Sequence, residues 1–178
     1  RAKASCLRGP VNSNVRPHTT HLRTATRAKY TASLWHPMTI PSEYQRASVE
    51  FERFMIDARD IAELSTTNMT WNMVVGVLFT FRRRLTVLDA LRFAAVLPPV
   101  LRAIFVSDWK PEEAPLSFTS RDAMTREVRS LRPEHNFSPE SAIQSVALAL
   151  RRHVNVEEFD AVLRTLPAGA TEYWKVLQ

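Results

Sequence analysis

Arginine side chains form two clusters that could bind an anionic partner. Arg82, Arg83 and Arg84 follow the apolar run "VVGVLFTF", and Arg151 and Arg152 follow the run "AIQSVALAL". Each cluster stands where a helix is expected to end, so its cations can complement the negative end of the helix dipole and donate to the last carbonyl groups. Alternatively, Arg82, Arg83, Arg151 and Arg152 form a basic surface for a phosphate, a nucleic acid or an acidic protein. The sequence leaves both alternatives open.

Side chains suited to acid–base or nucleophilic catalysis do not fall into a recognisable motif. Paired acids could act as general acid and base, but one pair lies in a proline-bounded linker and the other begins a helix. In the body of the chain, residues 38–178, the sequence reveals no Ser or Cys partner with a supporting acid for either of the two histidines. The pair in the linker is Glu112 with Glu113, the pair at the helix start is Glu157 with Glu158, and the histidines are His135 and His153. We therefore expect no catalytic residues.

Metal and cofactor motifs cannot be assembled either. His18 and His21 are three residues apart, but they follow a proline and have no third ligand nearby, so we expect no metal site there. Cys6 is the only cysteine, which excludes an intrachain disulfide and a cysteine-based zinc site. With only three glycines, the chain has neither of the glycine-rich phosphate-binding loops. The sequence predicts no cofactor.

The excess positive charge belongs to the first 37 residues, which form a basic arm. This arm contains seven Lys or Arg and no Asp or Glu, whereas the rest of the chain has 17 basic and 18 acidic side chains. Such a composition is typical both of organelle-targeting segments and of tails that lie along an acidic partner. If the arm is a tether, its partner-binding residues are the cations Arg8, Arg16, Arg23, Arg27 and Lys29, with Trp35 as an aromatic anchor.

The rest of the chain has helical periodicity. One broad apolar face at three- and four-residue spacing is predicted for residues 51–64, and a second for residues 73–81, with Thr70 as its N-cap. A third helix is expected to begin at Ser138 as N-cap, with Pro139 in the first helical position. Trp71, Trp109 and Trp174 are interpreted as packing anchors. The longest apolar run is too short to span a bilayer.

The second half of this helical region repeats the first after a shift of 69 residues. Thr86 with Asp89 corresponds to Asn155 with Glu158, and each pair is a cap followed three residues later by an acid, which marks a helix start. The shift also matches Arg82-Arg83 to Arg151-Arg152, Val77 to Val146, and Leu97-Pro98 to Leu166-Pro167. Because Leu-Pro disfavours helix at the leucine, each short helix should end there.

These elements lead to a prediction for the fold and the domain boundaries. We expect an all-α bundle of about six helices built from two tandem repeats, with an extended basic N-terminal arm. The boundaries are residues 1–40 for the arm, 41–110 for the first repeat and 111–178 for the second, joined by the segment 110–117. The two repeats together should form one globular unit.

The same motif, given twice, resembles a bacterial family known as domain-of-unknown-function family 2267. The resemblance covers roughly residues 45–174, and its most specific elements are Leu85, Asp89 and Leu97-Pro98 with their counterparts Val154, Glu158 and Leu166-Pro167. It implies a tandem helical fold, and it brings no established catalytic residues. The basic arm is a departure from the compact form that is usual in that family.

The expected function is therefore that of a non-enzymatic interaction protein. Its basic arm would bind it to a large acidic multi-subunit assembly in an organelle, with the plastid favoured over the mitochondrion and a photosynthetic antenna complex as an example. The alternative is a nucleic-acid-binding accessory protein of an organellar ribosome or nucleoid, and an enzyme of unrecognised type is the third hypothesis. The sequence does not determine the oligomeric state.

Overall fold

Nine helices and no strand occur in the part of the chain that the computed structural model describes, residues 40–131 and 133–176. Seven of these helices have eight residues or more. They are α1 Ser42–Gln45, α2 Ala47–Ile61, α3 Thr67–Arg82, α4 Val87–Ala95, α5 Pro99–Val106, α6 Arg121–Ser130, α7 Ala142–Arg151, α8 Val156–Thr165 and α9 Ala170–Tyr173. The all-α prediction is confirmed. The number of helices exceeds six partly because α1 and α9 have only four residues each, too few to show a period.

The predicted apolar faces of the long helices are the faces that pack in the core. Phe54, Met55 and Ala58 of α2 are buried, and Phe51 and Ile61 are partly buried beside them. Five side chains of α3 within the predicted apolar face 73–81 are buried, and so are four of α7 at helical spacing: Met73, Val74, Val77, Leu78 and Phe81 in α3, and Ile143, Val146, Ala147 and Leu150 in α7. Hydrophobic periodicity therefore located these helices correctly.

The N-caps of the two short matching helices lie at the predicted residues. The Thr86 hydroxyl accepts from the backbone N–H of Asp89, and the Asn155 side-chain oxygen accepts from the N–H groups of Glu157 and Glu158. The acid behaves differently from the expected capping box, because the Asp89 carboxylate accepts from the Thr86 hydroxyl at 2.7 Å. Both helices end before or at the Leu-Pro step, as predicted: α4 at Ala95 and α8 at Thr165.

Two other predicted N-caps are wrong. Helix α3 begins one turn earlier than expected, because the Thr66 side chain accepts from the N–H of Met69, while Thr70 lies inside the helix and its hydroxyl donates to the Thr66 carbonyl. Helix α7 begins at Ala142 with Ser141 as N-cap, three residues after the predicted cap.

Ser138 has a different role from the predicted one. Its hydroxyl and its backbone N–H both donate to the Asn136 side-chain oxygen, and the Asn136 amide donates in turn to the carbonyls of Val128 and Leu131. This buried network closes the C-terminal end of α6. The side-chain partner that holds Ser138 therefore comes from the preceding loop, and the helix starts after a turn at Pro139–Ser141.

Around one apolar core, helices that precede residues 110–117 pack against helices that follow them. Helix α2 packs against α7, α3 packs against α6, and α4 packs against α8. At the centre the Phe93 ring lies 4.7 Å from Phe81, 5.1 Å from Phe105 and 5.7 Å from Phe159, measured between ring centroids. Trp174 is fully buried and stacks on Phe93 at 5.5 Å, as expected of an anchor. These rings link the segments before and after residues 110–117 into one core.

The other two tryptophans of the body are less buried than an anchor should be. Trp71 is 40 % exposed and contacts Phe51 edge-on at 6.2 Å, and Trp109 is only partly buried. Both stand near the end of a helix, where one side of a large ring remains open to solvent. None of the helices that the structure describes is long and apolar enough to cross a bilayer.

The turn between α8 and α9 requires a glycine. Gly169 has a φ of +102°, a left-handed conformation that L side chains rarely adopt. A Cβ at this position would stand 2.5 Å from the Cβ of Phe118, so space is lacking as well. This turn brings Tyr173 and Trp174 into the core.

Gly169→Ala should lower the free energy of unfolding by about 2–4 kcal/mol, through backbone strain and the clash with Phe118. The measurement is urea denaturation followed by circular dichroism. Ala168→Ser, at the exposed neighbouring position, is the control and should change stability by less than about 0.5 kcal/mol. Equal stability of the two variants would contradict the constraint at Gly169.

Tyr173 should make the fold sensitive to alkaline pH. Its buried hydroxyl donates to the Val77 carbonyl at 2.8 Å, and burial raises the pKa of Tyr173 well above its ordinary value of 10.0. Because the hydroxyl ionises in the unfolded chain first, the stability that this group contributes is complete below pH 10 and is lost as the pH rises further. Tyr173→Phe should cost about 1 kcal/mol at pH 7 and reduce the further loss between pH 9 and pH 11. Urea titrations at the three pH values test this, with the exposed Tyr44→Phe as control.

Candidate functional site

The Arg82 side chain lies inside the body, although it is one of the candidate partner-binding cations. It is 4 % exposed, and its Nη1 donates to the carbonyl oxygens of Phe105 and Ser107 at 2.6 Å each. The guanidinium also lies over the Phe79 ring, 4.2 Å from the centroid. Burial lowers the pKa of Arg82 from its ordinary value. The cation therefore satisfies carbonyl groups at the C-terminal end of α5 and fastens α3 to it.

Arg83 and Arg84 share one carboxylate on α6. The Nη1 of Arg83 lies 2.9 Å from Glu127 Oε1, and the Nη2 of Arg84 lies 2.7 Å from Glu127 Oε2. Arg84 is buried and also donates to the Thr80 carbonyl, whereas the Arg83 side chain is 47 % exposed. Of this cluster, Arg83 is the member that faces solvent.

Arg151 forms a two-point ion pair with the next helix. Its Nη2 and Nη1 contact the two carboxylate oxygens of Asp160 at 2.7 and 3.2 Å. The guanidinium lies 5.4 Å from the centroid of the Phe159 ring. This geometry, with parallel donors on one carboxylate, is the strong form of an arginine ion pair, and it joins α7 to α8.

Arg152 and His153 meet Asp57 of α2. The Nη1 of Arg152 lies 3.3 Å from one carboxylate oxygen, and the Nε2 of His153 lies 2.9 Å from the other. His153 also packs edge-on against Phe54 with ring centroids 5.7 Å apart. Arg152 remains 57 % exposed at its side chain. The group links the end of α7 to α2, so its arrangement accounts for the His153 that had no partner in the sequence.

The two arginine clusters thus bind chiefly to the body itself. Of the four predicted partner-binding arginines in the described residues, Arg82 is buried, Arg151 is paired along α8, and Arg83 and Arg152 keep about half of their side chains exposed. The remaining six predicted residues lie outside the described part of the chain: Arg8, Arg16, Arg23, Arg27, Lys29 and Trp35.

The candidate catalytic groups are not assembled into a site. Glu112 and Glu113 are exposed in the segment between α5 and α6, and Glu157 and Glu158 are exposed in the first turn of α8. His135 is exposed, and its carbonyl accepts from the side-chain amide of Asn72. Within residues 40–131 and 133–176, no cluster of His, Cys, Asp and Glu has the geometry to hold a metal ion.

Open grooves lie on two sides of α2. One, with a volume of about 440 Å³, is lined by Phe54, Pro98 and Arg152 among others, and the second, of about 410 Å³, by Met55, Ile56 and Trp71. The first contains the ion-paired His153 on its wall, and the second is mainly apolar.

Sequence reasoning missed an exposed apolar surface on α4. Leu88 and Leu91 are 58 % and 56 % exposed, and Val87 is 44 % exposed. The cap at Thr86 and the Leu-Pro end predict this short helix, but neither signal indicates which residues lie on its outer face. The missed signal was the comparison of outer positions between the two matching halves, where one half has leucines and the other has acids.

Arg82 is buried and its neighbour Arg83 is half exposed, so substituting each of them tests the role of the buried one. Arg82→Met should lower the free energy of unfolding by about 2–4 kcal/mol, because one buried and one partly buried carbonyl lose a charged donor. Arg83→Met is the matched control and should cost less than about 1 kcal/mol, since its ion pair is half exposed. Urea denaturation measures both. If Arg82→Met left stability unchanged, the role of Arg82 as a fastener between α3 and α5 would be wrong.

Comparison with known proteins gives a family for this helical body. No curated protein matches the chain. A family model described as "Uncharacterized conserved protein (DUF2267)" matches residues 51–173, which run from the second turn of α2 to the end of α9. The match covers more than half of the chain, so the chain belongs to the DUF2267 family.

Proposed function

We propose that the protein is a non-enzymatic interaction subunit whose basic arm, residues 1–37, binds a large acidic multi-subunit assembly. The observation that carries this proposal is the distribution of free positive charge. In the body, arginines of both clusters donate to carbonyls or carboxylates of the body itself. The seven cations of the arm have no acidic residue within the arm to neutralise them. An acidic partner would supply the missing negative charge.

The proposed body is a tandem pair of one helical unit, in which α2–α5 correspond to α6–α9. Burial supports this proposal, because the buried positions of one half recur 69 residues later. The positions Met73, Val74, Val77, Leu78 and Phe81 correspond to Ala142, Ile143, Val146, Ala147 and Leu150, and Leu97, Leu101, Ile104 and Phe105 correspond to Leu166, Ala170, Tyr173 and Trp174. All of these are buried.

The packing order supports the same proposal. In a pair of units related by an approximate twofold axis, the first helix of each unit should pack against the second helix of the other. The contacts of α2 with α7 and of α6 with α3 follow this rule. Helix α4 packs against its own counterpart, α8, as expected for an element close to such an axis. Neither unit would bury its apolar faces alone.

For the location, we propose an organelle, with the plastid favoured over the mitochondrion. The body belongs to a family that we interpret as bacterial in origin, and the arm has the acid-free, Arg-, Ser- and Thr-containing composition of organelle-targeting segments. In plastids, helical linker proteins bind acidic pigment–protein antennae, and this analogy makes a photosynthetic antenna complex our first choice of assembly.

A nucleic acid is the second candidate partner, because seven cations would also bind a phosphate backbone. The body argues against it, since residues 38–178 have 17 basic and 18 acidic side chains and so no net attraction for phosphate. Within the arm, only Tyr30 and Trp35 could stack on bases. A protein partner with an acidic surface fits this distribution better.

Neutralising the arm should abolish most of the binding. The variant has Gln in place of Arg8, Arg16, Arg23, Arg27 and Lys29, and its affinity for purified photosystem–antenna particles should fall at least about tenfold in 50 mM KCl. Wild-type binding should weaken steeply between 50 and 200 mM KCl, and binding of the variant should change little. Co-sedimentation with fluorescent chain measures both, and single-stranded poly(U) in parallel tests the nucleic-acid alternative.

Trp35→Ala serves as a matched variant that keeps the charge of the arm. It should lower the affinity without changing the salt dependence, because an aromatic anchor contributes through apolar contact. Equal binding of the neutralised variant and the wild-type chain would contradict the tether. Salt-dependent binding to poly(U) with none to the particles would favour the nucleic-acid alternative.

A further inference from the structure

A linker of eight exposed residues, 110–117, joins the first half of the body, residues 41–109, to the second half, residues 118–178. The linker folds back through one turn, in which the N–H of Glu113 donates to the Lys110 carbonyl at 3.2 Å and Pro111 takes the second position. Pro111 and Pro115 restrict the residues before them, Lys110 and Ala114, to extended backbone. Opening the linker into an extended course therefore breaks only a single exposed hydrogen bond of this turn.

The apolar surface of each half is covered by the other half. Helix α2 packs against α7, α3 against α6, and α4 against α8. In the core, Trp174 stacks on Phe93 at 5.5 Å, and the Tyr173 hydroxyl donates to the Val77 carbonyl at 2.8 Å. Each of these contacts joins a residue before the linker to a residue after it. The same atoms would meet in the same way if the second half belonged to another copy of the chain.

We infer that a second copy of this chain is a partner for the surface between the halves: two chains open at the linker and exchange their second halves to form a dimer. In this exchanged dimer each body keeps the contacts between halves, and only the linker changes, from a turn to an extended course. The inference goes beyond the function proposed above and does not depend on it. Because each chain keeps its own N-terminus, the exchanged dimer has two basic arms.

The linker decides between the closed chain and the exchanged dimer. While the linker folds back, it holds the second half beside the first at an effective concentration of about 1 mM, so the closed chain prevails at about 10 µM. Wild-type chains unfolded and refolded at about 1 mM should therefore yield a substantial share of dimer. This dimer should persist after dilution, because its separation requires the whole core to open. Sedimentation velocity measures the two species.

Shortening the linker in the full-length chain should make the dimer the main species. Deleting Glu112, Glu113 and Ala114 removes the turn and takes about 10 Å from the reach of the linker. The deletion variant should be a dimer at about 10 µM, with the helical circular dichroism of the wild type. The control keeps the length of the linker and carries Glu112→Gly, Glu113→Ser and Ala114→Gly; it should remain a monomer.

Two charge variants test the exchange directly. Arg84 Nη2 lies 2.7 Å from Glu127 Oε2, across the surface between the halves. Arg84→Glu and Glu127→Arg each put two like charges at this contact, so each chain alone should be destabilised. Refolded together they can exchange halves, which gives one body with the wild-type pair and one with the reversed pair. Native mass spectrometry should detect this mixed dimer, with a Tm at least about 5 °C above that of either variant alone. Arg151→Glu mixed with Asp160→Arg is the control: both residues lie in the second half, so mixing should not raise the Tm.

Other outcomes overturn the inference. If the wild type refolded at about 1 mM contains no dimer, a second copy is not a partner for this surface. A deletion variant that is a folded monomer would show that the linker does not control exchange. If that variant fails to fold, the charge variants decide, and a mixture with neither a mixed dimer nor a higher Tm excludes exchange. A dimer whose charge variants gain nothing from mixing would be an association of two closed bodies, which also contradicts the inference.

Discussion

The contacts of the Phe93 ring hold the two halves of the body together. Four other aromatic rings surround it, and two of them, Phe159 and Trp174, come from the second half of the chain. Because aromatic rings bury large areas and pack in fixed geometries, this cluster sets how α4 lies against α8. The position of α4 then determines which of its faces is exposed. With Phe93 buried against α8, Leu88 and Leu91 lie on the opposite face of α4 and are exposed.

The apolar stripes of α2, α3 and α7 were predictable because they depend only on helical period, and the caps at Thr86 and Asn155 because they depend on neighbouring residues. The starts of α3 and α7 were mispredicted. In α3 two threonines four residues apart offered competing caps, and before α7 the buried Asn136 engaged the serine that local pattern had marked as the cap. A sequence pattern misplaces a cap where another polar residue only two to four positions away competes for the cap or hydrogen-bonds to it.

Local sequence reasoning could not predict the ion-pair partners of the arginines and of His153. Glu127 lies 43 residues from Arg84, and Asp57 lies 96 residues from His153, so only the packed fold brings them together. Both partners are acids of other helices, Glu127 on α6 and Asp57 on α2. What the sequence did establish was the balance of 17 basic and 18 acidic side chains outside the arm. Because the body has nearly as many acids as cations, Arg84 and Arg151 find carboxylate partners within it.

The two halves that align at a shift of 69 residues differ in how their arginines are paired. In the second half Arg151 pairs with Asp160, whereas in the first the equivalent of that acid is Leu91 and the equivalent arginine, Arg82, turns to the end of α5. The exchange of an acid for a leucine frees one helix face from charge and leaves it apolar in water. A buried arginine that keeps carbonyl partners allows this without an unpaired cation. The exposed leucines of α4 carry a cost in solubility that the ion-paired acid at the corresponding position of α8 does not carry.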